Sequence, residues 1–147
     1  MRDGTSKKVR IVSQVALGAT LVVAGVGHLT SQREEFRAQV PSWVPVNADL
    51  VVLTSGVVEI ALGGGLLLTW SQPRRATLGA VVAAFFIAVF PGNIAQFTGR
   101  RDAFGLDTDV KRFVRLLVQP ALVLWAVGAT DARRVLAGVL RSRATRR

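Results

Sequence analysis

One acidic residue, Glu59, lies in the middle of an otherwise apolar stretch that runs from Asp49 to Trp70. A carboxylate in hydrocarbon costs several kcal/mol, at least ~2.5 on insertion scales, and therefore normally faces the interior of a helix bundle. At 1.5 Å per residue, Glu59 lies ~15 Å into this stretch, near the middle of a bilayer core about 30 Å thick. Glu59 therefore indicates either a structural ion pair or a binding or proton-carrying site inside a membrane protein.

Further polar residues are expected in the same half of the molecule as Glu59. Arg115 and Gln119 are one helical turn apart near the start of the last apolar stretch, and Ser55 shares a helix face with Glu59. A pairing of Glu59 with either Arg115 or His28 would fix the bundle, whereas unpaired groups would contact a ligand. The predicted ligand contacts are His28, Ser55, Glu59, Asn93, Gln96, Arg115 and Gln119.

Two prolines lie beside this polar set. Pro91 and Pro120 each remove one helix hydrogen bond and leave a carbonyl, of Ile87 and of Leu116, without its usual donor. Such breaks are tolerated in membranes where they are buried in protein or line a cavity. The prolines and the polar residues together predict a pocket with a polar floor that opens toward the outside of the membrane.

Four apolar stretches position these residues: Val9 to Leu29, Asp49 to Trp70, Thr77 to Phe97 and Phe113 to Gly128. The first three exceed the length of about 20 residues that a spanning helix needs, and the fourth is short but adequate. None alternates with period two, so helices are expected rather than barrel strands. The sequence predicts an all-α, integral membrane four-helix bundle over residues 9–128.

The distribution of positive charge predicts the orientation of the bundle. Twelve of the 19 Lys and Arg residues lie in the two tails and in the turn between the second and third stretches, and seven lie on the other side. Cytoplasmic segments carry the excess of Lys and Arg, so both termini are expected in the cytoplasm. Residues 1–8 are a cytoplasmic tail on this prediction, and residues 129–147 are a basic tail with the pattern of an interfacial helix.

The connection after the first stretch is expected to lie on the membrane as a lid. Ser31 and Glu34 have the spacing of a capping box, which would begin a short helix that ends before Pro41. Trp43 follows, and its indole suits the interface between lipid and water. In the last connection, Thr108 and its neighbours are expected to cap the fourth helix rather than to bind calcium.

Several classes of function are disfavoured by the sequence. The net charge of +10 would suggest nucleic acid in a soluble protein, but here the charges flank the apolar stretches. The chain has no cysteine and one histidine, so no thiol chemistry and no metal site is expected. Gly63 to Gly65 lacks the ending of a phosphate loop. No catalytic residue is assigned, and a complete enzyme is not expected from this chain alone.

Several separated motifs lie in order along the chain: Gly25-Val26-Gly27-His28-Leu29, Phe36, Val40-Pro41, Trp43-Val44-Pro45, Ser55-Gly56-Val57-Val58-Glu59-Ile60-Ala61-Leu62-Gly63, Val89-Phe90-Pro91-Gly92-Asn93-Ile94, and Arg115 with Gln119-Pro120. Over roughly residues 12–128, these motifs resemble the DoxX-like family of small four-helix bacterial membrane proteins. Leu29 and Gly92 depart from the family, whose members commonly have Phe and Ala at these positions.

The resemblance implies a multi-pass protein of the bacterial plasma membrane. The family takes its name from a thiosulfate:quinone oxidoreductase, so the first hypothesis is an accessory subunit of a redox-linked complex that holds a quinone or a lipid in its pocket. The second is a non-catalytic assembly, scaffold or chaperone-like protein, and the third is a small-molecule transporter. Three hypotheses stay open because similarity of fold does not transfer an activity. The expected partners are the lipid bilayer and other membrane subunits or further copies of this chain.

Overall fold

The computed structural model describes residues 2–135 and 137–138, with side chains from residue 6 onward, and its regular structure in that range is helical without a strand. This agrees with the all-helical prediction. The interfacial helix expected in the basic tail falls mostly outside the described residues. The helices are α1 Arg2–Leu29, α2 Arg33–Arg37, α3 Ala48–Leu68, α4 Arg74–Thr98 and α5 Asp109–Thr130.

Four of the helices are long and apolar enough to cross a membrane: Ser6–Leu29, Ala48–Leu68, Arg74–Thr98 and Asp109–Thr130. All four begin earlier than predicted, and the difference is largest for α1 and α5. Residues 2–8, expected as a tail, belong to α1, and α5 begins at Asp109 rather than at Phe113. Hydropathy marks where a chain becomes apolar, whereas Lys and Arg favour a helix and let it continue beyond that boundary.

The helices pack as two antiparallel pairs, α1 with α3 and α4 with α5, and α3 has little contact with α4. Glycines bring α1 and α3 together. A Cβ on Gly25 would lie 2.6 Å from the carbonyl oxygen of Gly56, and one on Gly63 would lie 2.6 Å from the carbonyl oxygen of Gly18. On each helix the two glycines are seven residues apart, which puts them on the same face two turns apart. The backbones of α1 and α3 therefore contact each other directly along this face.

Close packing is also predicted for two sets of small residues, which are Ala76 to Gly92 at every fourth position of α4 and Gly63 to Gly65 on α3. Gly63 packs closely as predicted, but Ala84 and Ala88 are exposed, and a Cβ at Gly64 would meet nothing within 4 Å. The prediction was wrong at these three positions, because small residues indicate close packing only on the face that a neighbouring helix covers. The apolar core lies between the pairs and includes Leu17, Leu21, Leu66, Val82, Phe86, Ala126 and Ala129.

The start of α1, the turn between α3 and α4, and the end of α5 meet at one end of the bundle. There Asp131, only 2% exposed, ends α5 in a left-handed conformation with φ of 63°. Its carboxylate accepts hydrogen bonds from Arg10 at 3.4 Å and from Arg133 at 2.8 Å, and it also pairs with Arg134. This end is called the Asp131 end below, and the other is called the α2 end.

The connections at the α2 end are fastened to one another. Arg101 donates to the carbonyl oxygens of Ala38 at 2.9 Å and Val40 at 2.8 Å, so the connection after α4 fixes the segment after α2. Glu35 of α2 accepts from the backbone N–H of Phe104 in the same connection. The segment that was predicted as a lid is therefore tied down at two places.

The capping prediction at α2 was wrong, and the one at α5 is confirmed. The N-cap of α2 is Gln32 and makes no side-chain capping bond, while Glu34 pairs with Arg37 at 2.8 Å. A capping box needs both partners at the first turn, and here an ion pair on the same short helix takes the carboxylate. At α5, the Thr108 side chain accepts from the backbone N–H of Lys111.

Candidate functional site

A cavity of about 450 Å³ lies between the two helix pairs, beneath the segment that follows α2. All four long helices contribute to its wall, together with Phe36 and residues 39–41, 43 and 44, and most of the lining is apolar. Thr20 and Val118 line it from exposed positions on α1 and α5, so the wall reaches the surface of the bundle on that side. The polar residues of the wall are Thr20, His28, Gln39, Ser55, Glu59, Asn93, Arg115 and Gln119.

Six of the seven side chains that the sequence singled out line this cavity, and Gln96 does not. Gln96 is 1% exposed and lies behind the wall, where its Oε1 accepts from Gln39 at 2.8 Å and its amide donates to the carbonyl of Ala103 at 3.4 Å. Trp43, the expected lid, lines the cavity at its margin and is 72% exposed. Gln96 is thus a support for Gln39, and its place in the predicted set needs correction.

His28 and Glu59 meet because α1 and α3 run in opposite directions across the contact between Gly25 and Gly56. A helical side chain leans toward the N-terminus of its own helix, so the side chains of His28 and Glu59 lean toward each other. The His28 Nδ1 lies 2.9 Å from the Glu59 Oε2, and both side chains are about nine-tenths buried. Of the two predicted pairings of Glu59, the structure has the one with His28.

The contact between His28 and Glu59 is close but poorly aligned. Nδ1 also lies 2.9 Å from the carbonyl oxygen of Ala24, and a carbonyl only accepts, so Nδ1 carries the proton and donates to Ala24. One N–H does not serve two acceptors equally well. Accordingly, the buried Oε2 of Glu59 has no hydrogen-bond partner among the side chains and backbone that the structure describes. The carboxylate retains an unused acceptor.

An aromatic stack holds the imidazole of His28 in place. Phe36 of α2 lies parallel to the ring, with centroids 3.4 Å apart and planes at 15°, and Phe104 meets Phe36 edge-on at 4.7 Å. Because both phenylalanines belong to the connections at the α2 end, those connections fix the orientation of the histidine. The sequence offered Phe36 as part of a motif without indicating this contact.

The two buried amides of the wall satisfy each other. Asn93 donates to the Oε1 of Gln119 at 2.9 Å, and Gln119 donates to the carbonyl oxygen of Phe86 at 2.5 Å. Gln119 thus bonds to the carbonyl of Phe86 and not to the carbonyl of the next residue, Ile87, which is the one that Pro91 leaves without its usual helical donor. These amides therefore bridge α4 and α5, and each of them donates to a protein atom.

Arg115 is different, because its charge is not neutralised by direct contact. It is half-buried, its Nη1 is buried without a hydrogen-bond partner in the described part of the chain, and no described carboxylate lies within ion-pair distance of it. Glu59 attracts it electrostatically from beyond contact distance. The expected direct pair of Glu59 with Arg115 is therefore not formed, and the guanidinium is available to the cavity.

The sequence contained one signal for this wall that was not used. The spacing of seven between Gly18 and Gly25 on α1 recurs between Gly56 and Gly63 on α3. Because consecutive spanning helices run in opposite directions, this shared spacing indicates an antiparallel contact, and it would have placed His28 beside Glu59. Within the described residues, no group of three or more potential metal-binding side chains occurs.

The fold is thus an all-helical one, with four helices able to span a membrane and a buried polar set inside a largely apolar cavity. A family model described as "Domain of unknown function (DUF8561)" matches residues 17–130, which include α3, α4 and α5 in full and the C-terminal part of α1. The chain belongs to this family. No curated protein and no solved structure matches it.

Proposed function

We propose that this protein is a multi-pass protein of the bacterial plasma membrane that resembles the DoxX-like family and binds an apolar ligand with a polar head group in the cavity. A quinone or a lipid is the ligand type that the resemblance favours. Both termini lie in the cytoplasm on this proposal, so the α2 end faces outward. The protein then acts as an accessory subunit of a redox-linked membrane complex.

The cavity is the observation that carries this proposal. Its volume of about 450 Å³ falls within the range of about 300 to 1,000 Å³ that is usual for small-molecule sites. Such sites are mostly apolar and have a few polar groups that fix the orientation of the ligand. Arg115 and Glu59 provide these groups, since each has a buried polar atom without a hydrogen bond.

A partner is part of the proposal because of what the chain does not contain. It has no cysteine, so thiol or thiolate chemistry would come from another subunit. Polar groups inside a membrane mark pathways for substrates, ions or protons, and here they surround a space for a ligand. The accessory role therefore consists of binding and positioning an apolar molecule for a partner.

Blocking the cavity tests the proposal. Val118 lines the cavity and is 40% exposed, whereas Val114, one turn away on the same helix, is 53% exposed and does not line it. We expect Val118→Trp to fill the cavity and to abolish co-purification of a small molecule, and Val114→Trp to leave it unchanged. Native mass spectrometry of gently purified protein measures the bound molecules and any partner subunits together.

Equal retention of the small molecule by Val118→Trp and Val114→Trp would contradict the proposal. So would the absence of any bound molecule from the unmodified protein in both gentle detergent and native membrane fragments.

A non-catalytic assembly or scaffold protein is the second candidate, and one observation favours it. The pair of His28 and Glu59 lies at the glycine contact of α1 with α3, which is where a pair that fixes the bundle would be useful. The two candidates differ in the role of the carboxylate, which stabilises the fold in one and contacts a ligand in the other. A small-molecule transporter remains third, without a specific observation in its favour.

A further inference from the structure

We propose that the ligand of the cavity is an amphiphilic carboxylic acid, whose protonated carboxyl group lies between Arg115 and Glu59. This inference rests on the proposed function, because it names the chemical class of the ligand that the cavity holds. Three observations carry it: the unneutralised guanidinium, the unused carboxylate oxygen and the hydrogen bonds that the amide side chains of the wall already donate to protein atoms.

The first observation concerns Arg115. An arginine within a spanning helix is costly, and such residues normally pair with an acidic group or face water. Here the Nη1 is buried, has no partner in the described structure, and belongs to a side chain that lines the cavity. The guanidinium is a planar fork of donors that matches a carboxyl group better than it matches a single oxygen atom. An acceptor with this geometry is therefore expected in the cavity.

The second observation concerns Glu59. Its Oε2 is buried without a hydrogen bond, because the nearest N–H, that of His28, donates to Ala24. A carboxylate oxygen only accepts, so its partner must be a donor. A group that satisfies both side chains must present an acceptor to Arg115 and a donor to Glu59. A protonated carboxyl group has both, because its carbonyl oxygen accepts a hydrogen bond and its hydroxyl group donates one.

The third observation is that the amide groups of the wall already donate to protein atoms. Asn93 donates to Gln119, Gln119 donates to the backbone, and Gln39 donates to Gln96. Recognition of a polar head group by charge therefore falls to Arg115 and Glu59. An oxidised quinone offers only acceptors and leaves Glu59 unsatisfied, while a doubly charged phosphate would be repelled by the carboxylate. The apolar remainder of the wall suits a hydrocarbon chain.

Charge balance explains why the acid is bound with its proton. The titratable groups of the lining are His28 on α1, Glu59 on α3 and Arg115 on α5, and the lining residues of α4 and of the segment after α2 are uncharged. The charges of Arg115 and Glu59 balance when His28 is neutral. A carboxylate alone would add an uncompensated charge in a low-dielectric site, whereas a carboxyl group that takes up one proton keeps the balance.

Binding of matched probes tests this assignment. The full-length protein in maltoside detergent is titrated with dodecanoic acid, dodecanol and decylubiquinone, and the heat of binding is measured. We expect dodecanoic acid to bind at least about tenfold more tightly than dodecanol, a preference of about 1.4 kcal/mol. Arg115→Gln should remove this preference. Arg100→Gln should keep it, because Arg100 is exposed at the α2 end and does not line the cavity.

The pH dependence provides a second readout. If one proton is taken up on binding, the affinity for dodecanoic acid increases about tenfold for each unit by which the pH is lowered between 8 and 6, while that for dodecanol stays constant. An affinity for the acid that does not change with pH would overturn the shared-proton arrangement.

The outcomes distinguish this inference from the function on which it rests. Equal affinity for the acid and the alcohol, or tighter binding of decylubiquinone than of the acid, would overturn the carboxylic acid and leave a ligand-binding cavity. No binding of any of the three probes, together with no effect of Val118→Trp on co-purified molecules, would overturn both. The comparison of the probes on the unmodified protein decides the matter even if Arg115→Gln does not fold.

Discussion

The buried residues of the cavity differ in how well their hydrogen bonds are made, and this difference separates structural roles from binding roles. Asn93 and Gln119 form a complete bridge between two helices, as expected of groups that hold a fold together. Glu59 and Arg115 each keep a buried atom without a partner. Buried polar atoms of this kind are uncommon in folded proteins, and a ligand is one of the reasons for which they persist.

The substitution Glu59→Gln separates the two candidate functions. The hydrogen bond of His28 to Ala24 does not depend on the carboxylate, so we expect a loss of stability below about 1 kcal/mol and a clear loss of bound small molecule. Thermal unfolding in detergent and native mass spectrometry measure the two effects. Glu34→Gln is the control, since this residue is exposed and does not line the cavity.

A large fall in the melting temperature of Glu59→Gln with no change in bound molecules would instead favour the scaffold. Removal of one member of a well-made buried ion pair typically costs about 3–5 kcal/mol, which is readily separated from the smaller effect.

At the level of helices, the glycine contact of α1 with α3 determines where the site forms. Gly25 and Gly56 allow the two backbones to touch, and the side chains three residues further along each helix then face each other across the contact. Hydropathy predicted the four long helices, because that property depends on local composition. It did not predict which helix faces pair, because that depends on the fit of residues far apart in the sequence.

Gly25→Ala tests the contact between the helices. The added Cβ would lie 2.6 Å from a backbone oxygen of α3, so we expect the helices to separate and the protein to lose about 1–3 kcal/mol of stability. Gly64→Ala on α3 is a matched control, because its Cβ would meet nothing within 4 Å and alanine favours a helix by ~1 kcal/mol. Thermal unfolding of the two variants should therefore shift in opposite directions. Equal shifts would argue against the close approach.

The segment over the cavity depends on Arg101. Its guanidinium holds the carbonyls of Ala38 and Val40, so Arg101→Gln should speed amide hydrogen exchange in residues 38–44 by roughly tenfold, as expected for the loss of about 1.4 kcal/mol of local stability. Exchange measured by mass spectrometry tests this. Arg100→Gln should not change exchange there, because Arg100 pairs with Asp109 on the surface instead. An unchanged rate in Arg101→Gln would mean that other contacts hold the segment.

At the level of the whole molecule, the sequence predicted the helical class, the four long helices and six of the residues that line one cavity. Those predictions used composition, periodicity and depth, which the chain encodes locally. It did not predict that Gln96 lies behind the wall, that Phe36 stacks on His28, or that Arg115 stays apart from Glu59. Each of these depends on how the helices and connections are rotated and packed against one another, which involves residues far apart in the sequence.

The Asp131 end provides a pH-dependent contribution to stability. Arg133 donates to the Asp131 carboxylate and, with Arg134 and Arg10 nearby, lowers its pKa below the ordinary value of 3.8, although burial acts in the opposite direction. Because the folded-state pKa is the lower one, the contribution is complete above about pH 4 and is lost as the pH falls through the folded-state value. We expect Asp131→Asn to melt earlier than the unmodified protein at pH 6.

The two proteins should melt at more similar temperatures at pH 3, where the carboxylate is increasingly protonated. Melting curves at a series of pH values test this, with Glu34→Gln as a surface control. A difference between Asp131→Asn and the unmodified protein that stays constant down to pH 3 would show that the charge contributes nothing.

The proposed orientation is testable because the chain has no cysteine. Ser6→Cys lies near the start of α1, and Ser42→Cys lies in the exposed segment at the α2 end. We expect a membrane-impermeant maleimide to label Ser42→Cys in intact cells, and to label Ser6→Cys only after the cells are opened. The reverse pattern would place the termini outside.

The wall of the cavity reaches the flank of the bundle through Thr20 and Val118. If the four long helices cross a bilayer as proposed, this flank adjoins lipid tails rather than water. This flank would then give a ligand a lateral route into and out of the cavity, through the hydrocarbon. Its occupancy would follow its mole fraction in the surrounding lipid, and its exchange rate would slow when that lipid is cooled into an ordered phase.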